Sequence, residues 1–201
     1  MPLQNRVDPF GHLFATPARG LLMGNRGGRL HDDKRLLDTR RWSSKQWICC
    51  RLAFNDRQRT VWGEGYSELF FLDEVTAFAA GHRPCFECRR RDAENFATLF
   101  FGKKQRATAA AMDAVLHGER LAGQAKRMHR RSIDELPDGA MVAMGGDVFA
   151  VRDQRLLRWT PTGYAGAQAC PRRIEVDVLT SPAILAVLSR GYRPLWHASA
   201  T

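Results

Sequence analysis

The chain has 201 residues, 44% of them hydrophobic and 26% charged, enough for a real core in one ordinary domain or two small ones. Lys and Arg exceed Asp and Glu by 31 to 21, and the formal charge of +10 favours DNA or RNA, or another polyanion, as partner. No apolar run reaches the roughly 18 residues of a membrane span, and Met1 to Phe10 hold no signal core, so the expectation is no membrane contact and a cytoplasmic location.

Five Cys is an odd number, and without a signal segment it argues for metal binding or buried thiols over a disulfide framework. Residues 1–30 are punctuated by Gly, Pro and Arg, which predicts turns and short extended pieces. Asn25-Arg26-Gly27-Gly28-Arg29 can present backbone N–H groups and two guanidinium groups to a phosphate. It is not a P-loop, and the plain alternative is a structural turn. Residues 31–46 carry His31, Lys34, Arg35, Arg40, Arg41 and Lys45, with Trp42 and Trp47 beside them. This mixture suits phosphate contact with base stacking, and equally a basic surface over core Trp anchors.

Residues 47–54 read as a strand, with Ile48, Cys50, Leu52 and Phe54 on one face and Trp47, Cys49 and Arg51 on the other. A turn at 55–58 and a returning strand at 59–62 would complete a hairpin. Adjacent Cys49 and Cys50 then point to opposite faces and cannot both reach one ion without a bulge or a strand end.

Residues 66–72 predict another short strand. Asp73 is placed as an N-cap, Glu74 to Ala80 as a short helix and Gly81 as its stop. Gly81-His-Arg-Pro-Cys-Phe-Glu-Cys-Arg-Arg-Arg91 follows, with Cys85 and Cys88 three residues apart. A C-x-x-C turn aims both sulfurs at one point, which is half of a tetrahedral zinc site. A second helix is predicted from about Phe86, with Ala93, Phe96, Ala97 and Phe100 as its core stripe. Its N-terminus and Arg89, Arg90 and Arg91 would favour thiolates at Cys85 and Cys88.

Gly102 to Arg106 is a polar break, and Ala107 to Ala125 predicts a third helix. The basic cluster at 126–131 is expected to be its solvated end. Ser132 to Glu135 has a capping-box pattern. Three strands at 140–144, 148–152 and 156–160 form a meander, 161–171 a loop, and 174–180 a further strand. Thr180 is placed as the cap of a last helix that opens at Pro182. Gly191-Tyr-Arg-Pro194 repeats the pattern of Gly81-His-Arg-Pro84 without the thiols, which marks a chain reversal.

Phe71 to Arg89 resembles the second half of the zinc-binding domain of the Ada DNA-repair family, in which a short helix ends in Ala-Gly-aromatic-Arg-Pro-Cys-x-x-Cys. The match covers about a tenth of the chain, one short motif. It implies Cys85 and Cys88 as zinc ligands. The family's other pair, spaced four apart and including a methyl acceptor, is not matched by Cys49 and Cys50, and no Pro-Cys-His motif is present. Cys50 or Cys49 are the candidates to complete the site, with His31 or His82 as substitutes.

The sequence thus predicts an α+β protein of short antiparallel strands and several helices. Residues 1–105 form an Ada-like zinc-binding region with a basic arm, 106–131 a helical connector, and 132–201 a β-meander with a terminal helix, able to pack as one domain. The expected function is zinc-containing nucleic-acid binding, related to DNA repair, with Arg26, Arg29, Lys34, Arg40, Arg41, Arg89 and Arg90 on phosphates. The alternative is an enzyme using a zinc-bound or Arg-activated thiolate at Cys85, Cys49 or Cys50.

Overall fold

Short strands pair wherever the Gly- and Pro-rich first half runs straight. The computed structural model describes residues 1–58, 60–102 and 107–201 as an α+β fold with two six-stranded sheets. The first sheet contains β1 (Arg6–Val7), β2 (Leu13–Phe14), β3 (Leu22–Asn25), β4 (Ile48–Arg51), β5 (Leu69–Phe71) and β6 (Arg83–Pro84), in the order β2-β1-β5-β3-β4-β6. β3 is antiparallel to both β4 and β5, with Met23 opposite Cys50 and Gly24 opposite Cys49. β6 lies parallel to β4, with Pro84 beside Cys49. Both edges of β4 are therefore taken, and this is why the expected hairpin with 59–62 does not form. Residues 60–62 are a turn with Trp62 at φ 56°, and Arg59 lies outside the described residues.

Asp73 caps α1 (Glu74–Ala79) as expected, its Oδ1 accepting from Thr76 N at 2.9 Å. Gly81, at φ 86°, reverses the chain, and His82 N returns to Ala77 O. α2 (Arg90–Phe100) starts later than expected because Cys85 to Arg89 close a turn of their own, with Arg89 N on Cys85 O at 3.1 Å. Its Ala93, Phe96, Ala97 and Phe100 stripe is buried as the periodicity predicts. Thr108 caps α3 (Ala109–Arg120). Within the expected break at 102–106, residues 103–106 lie outside the described residues.

α3 ends at Arg120, short of the expected Ala125, because a tight hairpin follows. It consists of β7 (Leu121–Ala122) and β8 (Ala125–Lys126), with Gly123 at φ 64°. The basic cluster at 126–131 is therefore not a helix end: Lys126 closes β8, 127–128 connect, and the next strand opens at His129. The second, all-antiparallel sheet holds β9 (His129–Ser132), β10 (Met141–Met144), β11 (Asp147–Arg152), β12 (Arg155–Thr160), β13 (Gly163–Ala169) and β14 (Glu175–Val178). Their order is β13-β12-β11-β10-β14-β9. The expected meander is present. β13 replaces the expected loop at 161–171; it is an edge strand whose second half is exposed, so it lacks the alternation that marks a half-buried strand. Ser132 makes no side-chain cap bond at 133–135. α4 (Pro182–Ser189) has Ser181, not Thr180, at its N-cap, since Thr180 Oγ1 accepts from Met141 N instead.

The core runs through all three expected segments. Phe78, Phe96, Met112, Leu116, Ile184 and Tyr192 join the four helices. Leu72, Val75, Met141, Leu157 and Tyr164 bind α1 to the second sheet. Every residue of α1 is buried, which makes it the pivot between the sheets.

Candidate metal centre

Alternation along β4 assigns its two thiols different work. Cys49 faces a core of Val7, Leu22, Leu69 and Phe71. Cys50 faces the other way, onto Met23, Cys85 and Cys88. The parallel pairing of β6 with β4 brings the C-x-x-C turn beneath Cys50, and Cys85 N donates to Cys49 O at 3.0 Å to fix the register. The sulfurs of Cys50, Cys85 and Cys88 all lie within 4.8 Å of one another and are buried. A tetrahedral zinc–thiolate site, with Zn–S near 2.3 Å, needs sulfurs roughly 3.8 Å apart, so this group is the right size for a metal ion.

Backbone donors reinforce the thiolates. Arg51 N donates to Cys88 Sγ and Glu87 N to Cys85 Sγ, each at 3.4 Å. All five cysteines are free. Hydrogen bonds from Cys50 and then Cys88 hold the Cys85 thiol far below its ordinary range, while the bond to Cys85 pushes the Cys50 thiol up. The three thiols therefore titrate as one coupled group, which readily carries a shared negative charge. Cys49 behaves oppositely, because burial pushes its thiol up.

The three sulfurs open onto a cavity of about 420 Å³, with Met23, Tyr66 and Phe70 as apolar wall and Arg19, Arg51 and Arg57 among its polar groups. Three protein ligands with a fourth direction facing a cavity leave room for a water or a substrate atom. The wall residues were not legible in the sequence, since Phe70 reaches the cavity through the pairing of β5 with β3, and Arg19 and Tyr66 reach it from loops.

Several expected site residues are placed elsewhere. Cys49 is not a member of the thiol group, being on the far face of β4 and accepting from Arg89 Nη1 at 3.3 Å. His31 is also outside it. Its ring bonds Ser67 Oγ and Gly63 O and stacks on Trp62 at 5.0 Å. His82 is buried between Trp47 and Phe71, and burial followed by the Arg26 and Arg120 charges holds it neutral. Arg89 cannot reach a phosphate on a partner, because it is buried against Glu74 at 2.7 Å and Asp92 at 2.9 Å. Arg26 is also buried, with three of its donors on His82, Arg41 O and Gly11 O. Arg29 is half-buried and paired with Asp33. Lys34, Arg40, Arg41 and Arg90 are exposed, Arg90 beside Glu94 at 3.7 Å. Trp42 is half-buried beside Arg40 and Arg41, whereas Trp47 is a core residue.

No helix among the described residues is long and apolar enough to cross a membrane. Comparison of the chain with protein-family models, curated proteins and solved structures gives no match.

Proposed function

We propose that this chain is a zinc-thiolate protein that binds nucleic acid. The observation that carries the reading is the buried Cys50, Cys85 and Cys88 group. Soft thiolates select zinc among the common divalent ions, and zinc would tie β4 to the turn before α2. The nucleic-acid half of the reading rests on the net charge of +10 and on the exposed Lys34, Arg40 and Arg41 beside Trp42. The Ada-like motif at Phe71 to Arg89 adds repair of alkylated DNA as the setting.

Elemental analysis tests the first half. One zinc per chain is expected in wild type and in Cys49→Ser, and loss of it in Cys50→Ser, Cys85→Ser and Cys88→Ser. Metal-free protein after purification under reducing conditions with added zinc would refute it. For the second half, affinity for DNA or RNA should fall linearly on a log–log plot against salt, with a slope near −0.7 to −0.9 per phosphate contacted. Absent or salt-insensitive binding refutes that half alone.

The open cavity beside Cys85 favours a second reading, alkyl transfer from a phosphotriester. A Cys85 thiolate would form the S–C bond, the C–O bond would break, and its electron pair would leave on the phosphodiester oxygen. A mass increment on Cys85 after incubation with alkylated DNA supports this reading, and unmodified Cys85 rejects it.

A further inference from the structure

On the other side of β3 and β4 lies a second cavity, of about 220 Å³, where the strand ends meet the turn after α3. Arg26, Arg120 and Lys126 line it together with Trp42 and Trp47. Arg26 and Arg120 are each 1% exposed. Their guanidinium carbons lie over the Trp47 ring system at 4.0 and 3.9 Å. Among the described residues none of the three cations has a carboxylate partner; the nearest acids, Asp8 and Asp113, act on them only at longer range. Their bonds run to neutral acceptors: Arg26 to Gly11 O and Arg41 O, Arg120 to Gly81 O and Lys45 O, Lys126 to Ala79 O.

Buried cations are ordinarily paired, because an uncompensated buried charge is costly. Here Arg120 Nε is buried without a hydrogen-bond partner among the described residues. Each guanidinium uses three of its five N–H donors on the protein. The cluster therefore has both unspent charge and unspent donors facing a cavity. Burial holds the Arg26 and Arg120 guanidiniums down at about 9 and the Lys126 amine at about 7, helped by the Arg41 charge at Arg26, the Arg26 charge at Arg120, and both the Arg26 and Arg120 charges at Lys126. A bound anion would reverse that penalty.

We infer that this cavity is a binding site for a phosphomonoester dianion, with the group that carries the phosphate lying along Trp42. Three cations against a distant Asp8 suit a dianion better than a carboxylate. The cavity of about 220 Å³ takes a phosphate with room for part of the group that carries it, and through Arg41, Trp42 and Gln124 it continues into a groove lined also by Thr39 and Arg40. An indole beside two exposed Arg side chains offers a stacking platform for a planar base. Two sources share this chemistry, a free nucleotide and the phosphorylated end of a strand. The site is separate from the thiol centre and does not depend on the zinc reading.

The test is calorimetric titration of the full chain with inorganic phosphate, adenosine, adenosine 5′-monophosphate, and a short single strand with and without a 5′-phosphate. Expected are binding of phosphate and the monophosphate, competition between them, and at least tenfold weaker binding of adenosine. Trp42→Ala should weaken the monophosphate about tenfold and inorganic phosphate far less. Lys126→Met should weaken both, and Arg120→Gln should do so if it folds by circular dichroism. Preference for the 5′-phosphorylated strand over the mononucleotide assigns the strand end; the reverse assigns the free nucleotide. No phosphate binding at millimolar concentration, or undiminished binding in Lys126→Met, overturns the inference. Zinc content should be the same in every variant, so failure here stays distinct from failure at the thiols.

Discussion

Glu74→Gln removes one charge at the junction of three elements. Glu74 is 1% exposed, and its Oε1 lies 2.7 Å from Arg89 Nη1 and 2.9 Å from the Tyr192 hydroxyl, while Oε2 accepts from Leu195 N at 2.9 Å. The first residue of α1 thus ties the turn carrying Cys88 to the segment after α4. Burial and the Glu74 charge both push the Tyr192 hydroxyl up, so it remains a donor to the carboxylate. Gln keeps the shape and an acceptor for Leu195 N but strands the Arg89 charge. Breaking a buried pair costs about 3–5 kcal/mol. Asp92 still holds Arg89 at 2.9 Å, though with a side chain 41% exposed, which sets the expected loss at the lower end, about 3 kcal/mol. Glu74→Ala orphans Tyr192 and Leu195 N as well, for a total of about 5 kcal/mol, a large share of the stability of an ordinary domain. Urea unfolding at constant slope reads both values. Glu74→Gln/Arg89→Met should recover most of the loss. A loss below 1 kcal/mol in Glu74→Gln would refute the reasoning, since the junction would then add no net stability.

Arg83 and Asp113 form a buried bidentate pair, both bonds at 2.8 Å, so Asp113→Ala should cost about 3–5 kcal/mol by denaturant midpoint; an effect under 1 kcal/mol counts against the pairing. A Cβ at Gly24 would meet Ile48 O at 2.1 Å and the Phe71 ring at 2.9 Å, so Gly24→Ala should part β3 from β4, lowering the melting temperature and the zinc content together. Unchanged zinc in a folded Gly24→Ala would show that the centre does not need that pairing. Burial and then the Arg26 and Arg120 charges hold Lys126 at about 7 against 10.5 when unfolded, so the unfolded chain binds the extra proton between these values. Wild type should therefore gain stability relative to Lys126→Met as pH rises from about 7 to 10.5. Parallel melting profiles for the two would contradict that burial.

What the sequence made legible was local. Asp73 as cap, Gly81 as stop, the Phe96 and Phe100 stripe and the meander depend on neighbours within a turn or two, and each forms. The opposite orientation of Cys49 and Cys50 follows from strand alternation alone. Which strand lies beside which was not legible. Leu22–Asn25 sits in a stretch whose Gly residues read as turns, yet Gly24 is there because two backbones approach closely. The fate of the Arg residues was also hidden. Arg26, Arg83, Arg89 and Arg120 look like surface charge in composition, but all four are buried. Part of the +10 is therefore structural, and the surface open to a polyanion is carried by fewer groups than the net charge suggests.

β3 and β4 explain why two sites of opposite character lie so close together. Along β4, Cys50 turns to the thiol cavity and Cys49 to the core, while Trp47, just before the strand, supplies the ring on which Arg26 and Arg120 rest. Along β3, Met23 joins the thiol side, and Arg26, just beyond the strand end, joins the cation side. The thiols can hold negative charge as thiolates and the other cavity gathers positive charge, while Arg89 lies against Cys49 and is neutralised by Glu74 and Asp92. A substitution that slips the β3–β4 register by one residue would turn Cys50 into the core and Cys49 toward the cavity, since side chains alternate with period two. The register thus controls the composition of the thiol group directly, and it reaches the cation pocket only through Trp47 and Arg26.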